Sequence, residues 1–150
     1  ERSPFELSGG QKRRVAIAGV VAMRPEVLIL DEPTAGLDPK AHHDVLDMVQ
    51  EVHRRTGNII ILVSHNMADI ARVSDKIIVI DSGHLVTTGT PREVFSQKEL
   101  LRGVGLDRPP ITEFTETLRE KGMNLPSTIL DTREAALAIA KALREKRTKG

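Results

Sequence analysis

Two stretches of the sequence decide the fold: Leu-Ser-Gly-Gly-Gln at residues 7–11 and Leu-Ile-Leu-Asp-Glu-Pro at residues 28–33. The first places two glycines at the start of a predicted helix, where free backbone N–H groups and the positive end of the helix dipole suit a phosphate. The second is a short apolar run that ends in two carboxylates, which suit Mg²⁺ and an attacking water molecule. Together the two stretches point to nucleotide hydrolysis.

The composition narrows the class of protein. The 150 residues include 22 Lys and Arg against 21 Asp and Glu, and this near-neutral balance gives no support for a nucleic-acid surface. Cysteine is absent, which excludes disulfides and thiolate metal sites. No apolar run approaches the roughly 20 residues of a membrane span. The chain starts at Glu1 without a signal-peptide pattern, so we expect a cut or processed N-terminus, with residues 1–5 in a loop.

The first stretch is predicted to open a helix. Ser8 fits the N-cap position, and Gln11 follows three residues later, at the spacing of a capping box. Apolar residues then recur at helical spacing until Arg24, which precedes a proline that ends the helix. We expect residues 8–10 to face outward. The alternative interpretation is a capped helix after a flexible loop, with no ligand.

The second stretch is predicted to be a strand. Residues 27–30 are wholly apolar and lie between prolines, a pattern typical of a strand that is buried on both faces of a helix-covered parallel sheet. Asp31 and Glu32 come at its C-terminal end, where open α/β sheets bind ligands. Because side chains alternate along a strand, the two carboxylates should point in different directions and have different roles. In the alternative interpretation, Asp31 caps a turn and Glu32 is merely solvated.

A second apolar run, residues 59–63, predicts another buried strand, which ends just before His65. We therefore expect His65 at the same edge of the sheet as Asp31 and Glu32. An imidazole there can hydrogen-bond a phosphate oxygen and hold the attacking water. A lone histidine is usually structural, but one in register with a carboxylate pair favours a functional role.

The helix between these strands is predicted to start at Asp38, an N-cap that is followed by a proline, and to run to about residue 55. It carries His42, His43 and His53. We interpret them as solvated surface residues, because the adjacent pair lacks the i, i+4 spacing of a metal site.

The rest of the chain mixes short strands and helices. Thr90 with Glu93, and Asp131 with Glu134, have capping-box spacing. The patterns predict, in order, a helix over residues 67–73, a strand over 77–80, a hairpin turn at 81–84, a strand over 85–88, two helices from 90 to about 101, a linker-like segment over 103–110, a short helix over 112–120, and a helix from 131 with a basic end at 144–149.

These features resemble one known family, the ATP-binding-cassette (ABC) ATPases. Residues 7–11 resemble the family's signature motif, and residues 27–31 resemble its Walker B strand. Glu32 matches the catalytic glutamate, residues 35–38 resemble the D-loop, and His65 matches the switch histidine. The resemblance implies an α/β fold: a partial RecA-like P-loop NTPase core with parallel strands, plus a small helical C-terminal extension.

The resemblance implies two groups of site residues. In the first group, Asp31 helps to hold Mg²⁺ through its water shell. Glu32 polarises the attacking water, and His65 contacts the γ-phosphate of ATP and links it to that water. Such chemistry needs little covalent participation by the protein, so positioning and charge stabilisation dominate.

The second group acts across an interface, because ABC ATPases dimerise head to tail. Ser8, Gly9, Gly10 and Gln11 would contact ATP bound to the partner subunit. Asp38, in the D-loop, would communicate between the two sites.

The chain also departs from the family pattern. It has no Gly-x-x-x-x-Gly-Lys-[Ser/Thr] phosphate loop, and the adenine-stacking aromatic and the glutamine loop, which precede the signature in the family, are absent. The sequence therefore resembles the C-terminal half of an ABC ATPase. We expect this chain alone to bind ATP poorly and to be inactive.

The tail narrows the resemblance to the energy-coupling-factor ATPases, the cobalt and vitamin importers, whose C-terminal extension supports dimerisation of the ATPase subunits. The stretches that carry this resemblance are residues 34–40, 89–95, 105–110 and 125–131. The resulting division is 1–24 for the end of the helical subdomain with the signature, 25–104 for the C-terminal half of the ATPase core, and 105–150 for the C-terminal extension, a dimerisation element.

The resemblance implies an ATP-binding subunit of an importer for a cation or vitamin. Its partners would be a second ABC ATPase subunit, in a homo- or heterodimer, and transmembrane transporter subunits, with no nucleic acid. It would lie peripherally on the cytoplasmic face of the cell membrane. The alternatives are a non-catalytic dimerising half-domain and an ABC ATPase of DNA maintenance. The second lacks support, because the signature helix ends promptly without heptads for a coiled coil.

Overall fold

The computed structural model describes the backbone of residues 6–148 and the side chains of residues 6–145. The loop expected at residues 1–5 lies outside the described residues, as do the side chains of the basic end from residue 146 onward. The chain forms two compact units that divide between His65 and Asn66. The division predicted from the sequence, at residues 24 and 104, stays a prediction.

Helices and short strands alternate in the first part of the described residues, and four consecutive helices follow it. In chain order they are α1 (Gly9–Val21), β1 (Val27–Asp31), α2 (Pro39–Thr56), β2 (Ile59–Val63), α3 (Met67–Val73), β3 (Ile77–Asp81), β4 (His84–Gly89), α4 (Pro91–Phe95), α5 (Lys98–Gly103), α6 (Pro110–Glu120) and α7 (Thr132–Thr148). Over residues 6–148, the helices lack the combination of length and hydropathy that a membrane span needs.

The first unit is a β–α–β arrangement. Strands β1 and β2 pair in parallel from Val27 opposite Ile59 to Asp31 opposite Val63, which confirms the predicted parallel pairing. Helix α2 connects the two strands, as parallel pairing requires. Alternate residues of β1 enter a core with both helices of the unit; the buried members of this core are Ile17, Leu28, Leu30, Val45 and Val49.

The other face of the two strands is open, so the prediction that both faces are buried is wrong. Ile29 is 64% exposed and Ile59 is 62% exposed, and Val27, Ile61 and Val63 lie on the same open side. Among the described residues of this unit, the helices cover only the side that carries Leu28 and Leu30. A wholly apolar strand sequence indicates that both faces of the strand are buried in the folded protein. It does not indicate which part of the protein covers each face.

Side chains that were predicted to cap the helices of this unit do so. The backbone N–H of Ser8 donates to Gln11 Oε1 at 2.9 Å, and the N–H of Gln11 donates to Ser8 Oγ at 3.3 Å, which completes the capping box. Helix α1 ends at Val21, three residues before Arg24, which itself has left-handed backbone (φ 53°). At the end of α2, Gly57 adopts φ 65°, a conformation that favours glycine.

The second unit contains an antiparallel hairpin followed by helices. Strands β3 and β4 pair as predicted, joined at Ser82 and Gly83, which have φ values of 50° and 78°. Two successive positive φ values are typical of the tight turns that match the twist of a hairpin. The predicted capping box forms at α4, where the N–H of Thr90 donates to Glu93 Oε2 at 2.7 Å and the N–H of Glu93 donates to Thr90 Oγ1 at 3.4 Å.

The predicted capping box at the start of α7 is incomplete. The N–H of Glu134 donates to Asp131 Oδ1 at 2.9 Å, but the carboxylate of Glu134 accepts from the N–H of Leu130, at 3.4 Å, rather than from Asp131. Glu134 also accepts a hydrogen bond from Arg92 of α4 at 2.8 Å. This pair ties the first turn of α7 to α4.

The segment predicted to be linker-like, residues 103–110, is an ordered part of the second unit. Arg108 is only 5% exposed. Its guanidinium donates to Glu113 at 2.7 Å, to Glu116, and to the Phe95 carbonyl at 3.4 Å. Lys98 Nζ donates to Glu116 at 3.1 Å. A buried arginine needs such partners, because an uncompensated buried charge is costly.

We expect acid to weaken the second unit. The hydrogen bond from Arg108 lowers the pKa of Glu113. Burial raises the pKa of Glu116, but the hydrogen bonds from Arg108 and Lys98 outweigh it, so that pKa is also lowered. A lowered folded-state pKa stabilises the fold above the ordinary carboxyl pKa of 4.5, and this stabilisation is lost as the pH falls through the folded-state values.

Each carboxylate should contribute up to about 1 kcal/mol, since the pairs are partly exposed to solvent. Urea unfolding at neutral and at acidic pH measures the change. The variant carrying both Glu113→Gln and Glu116→Gln should show a smaller loss between the two conditions. If this variant loses as much stability in acid as the unaltered chain, Glu113 and Glu116 are not the source of the acid sensitivity.

Candidate functional site

Glu32 and His65 meet at the common C-terminal edge of β1 and β2. The Nδ1 atom of His65 lies 2.6 Å from Oε1 of Glu32, and the backbone N–H of His65 donates to the same oxygen at 3.0 Å. The side chain of His65 is 84% exposed and that of Glu32 is 34% exposed. The pair is therefore joined by hydrogen bonds and also open to solvent, as a site for a soluble ligand requires.

The backbone of Glu32 holds this pair in place. Its N–H donates to the Val63 carbonyl at 2.9 Å, which extends the ladder between the strands by one residue, and its carbonyl accepts from the N–H of Ala35 at 3.2 Å. Glu32 has φ 44°, in the left-handed region that a side chain with a Cβ atom rarely adopts. Such strain persists only where surrounding contacts enforce it, and it concentrates at functional sites.

Asp31 has surroundings that differ from those of Glu32, which lies beyond the end of the strand. Asp31 is the last residue of β1, it is exposed, and it falls on the open face of the strand together with Val27 and Ile29. Its carboxylate makes no hydrogen bond to the described residues. An exposed carboxylate of this kind could serve Mg²⁺, which is usually held by one or two carboxylates, substrate oxygens and water.

The start of α1 has the electrostatic character of an anion site. By helix geometry, the N–H groups of Gly9 and Gly10 have no acceptor within the helix. The first turn of α1 contains no acidic residue, and Lys12, Arg13 and Arg14 follow at once. An anion bound near a helix N-terminus is stabilised by the helix dipole, and neighbouring cations add to that attraction.

Of the four residues at this helix start, three are at least partly exposed and one is not. Ser8 and Gly9 are exposed, and Gln11 is partly buried. Gly10 is buried: a methyl group placed on it would lie 2.5 Å from Cβ of Ala41 in α2. The expectation that residues 8–10 all face outward is therefore wrong at Gly10, because helix packing also requires a glycine there.

Asp38 begins α2 as predicted. Its carboxylate accepts from the N–H groups of Lys40 at 3.1 Å and Ala41 at 3.0 Å. This capping explains an aspartate at the position without any ligand, so communication between subunits stays a prediction.

The three histidines of α2 do not come together as one cluster. The rings of His42 and His43 contact edge to face with 5.7 Å between centroids, and Nδ1 of His53 lies 2.7 Å from the Asn58 carbonyl oxygen. Over the described residues, no group of three or more His, Cys, Asp or Glu side chains is arranged to hold a metal ion.

Known proteins that are similar to this chain are named as transporter proteins. A family model described as "ABC transporter" matches residues 1–35. The energy-coupling factor transporter ATP-binding protein EcfA2 of Caldanaerobacter subterraneus subsp. tengcongensis is 55% identical over 144 residues, which cover 96% of this chain and 50% of that protein. EcfA2 of Clostridium perfringens is 49% identical, with the same two shares covered.

A solved structure agrees with these relatives. The protein CbiO1 from Clostridium perfringens, described as part of the ABC transporter complex CbiONQ, matches with a TM-score of 0.61 and 41% identity. The match covers 77% of this chain and 46% of that one. The chain spans about half the length of the curated relatives it matches.

The strain at Glu32 can be tested without reference to any ligand. Replacing Glu32 by Gly or by Ala removes the same carboxylate, but only Ala keeps a Cβ atom at φ 44°. We expect Glu32→Gly to be the more stable variant by about 1 kcal/mol in urea unfolding. At Asp31, in regular strand, the same two replacements should rank the other way, with Ala above Gly. Equal unfolding midpoints for the two Glu32 variants would show that the backbone at Glu32 is not strained.

Proposed function

We propose that this chain, a homologue of the ABC transporter ATP-binding proteins, forms the C-terminal half of an ATPase subunit that drives uptake of a cation or vitamin through transmembrane partners. The resemblance to this family and its α/β fold are confirmed by the relatives and the solved structure described above. The observation that carries the proposal is the contact between Glu32 and His65 at the shared edge of two parallel strands.

Within one subunit, Glu32 accepts a proton from the attacking water and His65 binds the γ-phosphate of ATP. With Nδ1 of His65 donating to Glu32, Nε2 can donate to a phosphate oxygen only when the ring carries both protons. The exposure of His65 leaves Nε2 accessible.

Asp31 is the residue that would hold Mg²⁺, through water. When bound, that ion would neutralise charge on the phosphates. The exposed carboxylate at the strand end, free of hydrogen bonds to the described residues, supports this assignment.

Across the interface with a second ABC ATPase subunit, the start of α1 binds ATP that is held by the partner. Gly9 and Gly10 supply backbone N–H groups, Ser8 and Gln11 supply side-chain atoms, and Asp38 communicates between the two sites. The absence of acidic residues from the first turn of α1 supports an anion at this position.

The open face of β1 and β2 supports a longer protein. Five large apolar side chains on that face are exposed, the kind of surface that a soluble domain normally covers. We propose that the N-terminal half of the ATPase, which would also carry the phosphate loop, packs on this face. The polypeptide with both halves is called the full-length protein below.

Residues 105–150 are proposed to form the C-terminal extension, which contacts a second ABC ATPase subunit. Helix α7 exposes Leu137 and Leu143, which are 67% and 49% exposed. The names of the relatives favour an energy-coupling factor importer, with the subunit on the cytoplasmic face of the membrane. They do not favour DNA maintenance, and the presence of Glu32 and His65 does not favour a non-catalytic half-domain.

Replacing Glu32 by Gln in the full-length protein tests the proposed function. The amide retains the size of the side chain but cannot accept the proton from water, so ATP hydrolysis should fall by about 100-fold or more while ATP still binds. Glu26→Gln is the matched control, since Glu26 is exposed at the opposite end of β1. Phosphate release and nucleotide binding are the measurements, and full hydrolysis by Glu32→Gln would reject Glu32 as the base.

The 150-residue chain alone should release no phosphate from ATP above background. It lacks the lysine and the backbone loop that hold the β- and γ-phosphates, so the remaining contacts cannot bind ATP tightly. Calorimetric titration with Mg-ATP, compared with the full-length protein, measures the difference. Tight binding by the chain alone would contradict the assignment of the phosphate loop to another part of the protein.

A further inference from the structure

Helices α1 and α2 run in the same direction from adjacent N-termini. Gly10 of α1 packs against Ala41 of α2, and one turn further on Arg14 Nη1 lies 3.1 Å from Asp44 Oδ2. Another turn along, Ile17 enters the core formed with α2 and β1. The two helices are therefore held together from their first turns onward.

The first of these contacts leaves no space. A methyl group on Gly10 would lie 2.5 Å from Cβ and 3.6 Å from Cα of Ala41, and Ala41 has no flexible side chain that could move aside. The N–H of Ala41 is also held by Asp38 at 3.0 Å. By contrast, a methyl group on Gly19 of the same helix would meet nothing within 4 Å.

We propose that Ala41 is a positioning residue of the ATPase, whose contact with Gly10 fixes the Ser8 end of α1 against the Asp38 turn that begins α2. This inference rests on the proposed function, in which both of these segments face the ATP of a second subunit. Because Gly10 packs closely against the Ala41 methyl group, with no flexible side chain between the helices, the two segments move together. A nucleotide that displaces the Ser8 end therefore displaces Asp38 as well.

The test uses five variants of the full-length protein, one of them Ala41→Gly alone as the reference for the double variant. Gly10→Ala and Ala41→Val each overfill the contact, Gly10→Ala with Ala41→Gly restores the space, and Gly19→Ala is the matched control on α1. For the two overfilled variants we expect kcat per folded protein to fall by about tenfold. KM for ATP should change by less than about twofold, because the proposed phosphate loop lies outside this chain.

The double variant separates this proposal from a role of Gly10 in phosphate contact alone. It should recover to within about threefold of Ala41→Gly by itself, since only the packing conflict is removed. A double variant as slow as Gly10→Ala would overturn the proposal. So would a normal kcat for Ala41→Val.

Folding is measured in parallel by urea unfolding monitored by circular dichroism. A lowered unfolding midpoint with an unchanged rate per folded protein would make the contact merely structural and would overturn the positioning role. If the unaltered full-length protein hydrolyses no ATP, the proposed function fails. The contact itself is then still tested by the unfolding experiment. The effects of Gly10→Ala and Ala41→Gly on the unfolding free energy should be non-additive, whereas Gly19→Ala should show no such coupling to Ala41→Gly.

Discussion

The parallel register of β1 with β2 is the constraint on which the site depends. Both strands end level, with Asp31 opposite Val63, and the residues that follow each strand must then share one edge. Glu32 and His65 are 33 positions apart, but they meet through short contacts because the pairing brings their backbones together. A slip of one residue would place the buried side chains of β1 on its open face, so burial in the core fixes the register and thereby the site.

The features that the sequence predicted well are those with causes within a few residues. The capping box of Ser8 and the N-cap of Asp38 depend on side chains that bond to backbone three or fewer residues away. The hairpin turn of β3 and β4 is likewise local. The edge shared by Asp31, Glu32 and His65 also followed from the sequence, because the ends of parallel strands meet by geometry. The roles given to these residues stay predictions.

The features that the sequence missed depend on partners distant in the chain or on signals that have two meanings. Arg108 looked like part of a linker, but carboxylates on α6 and the Phe95 carbonyl make its burial possible. The sequence gives no sign that Gly10 packs against another helix, because a glycine that leaves room for a phosphate and one that leaves room for a helix look the same in a sequence. The left-handed backbone of Glu32 had no signal at all, since glutamate is not typical of that conformation.

The adjacent starts of α1 and α2 show why only one of them is suited to an anion. Both present free N–H groups and the positive end of a dipole, but Asp38 supplies α2 with a carboxylate that satisfies two of those groups. Helix α1 has the neutral Ser8 at the same position and no acid in its first turn, and its capping box adds no charge. Since the helices are otherwise alike in direction and packed side by side, this difference of one charge decides where a phosphate can be stabilised.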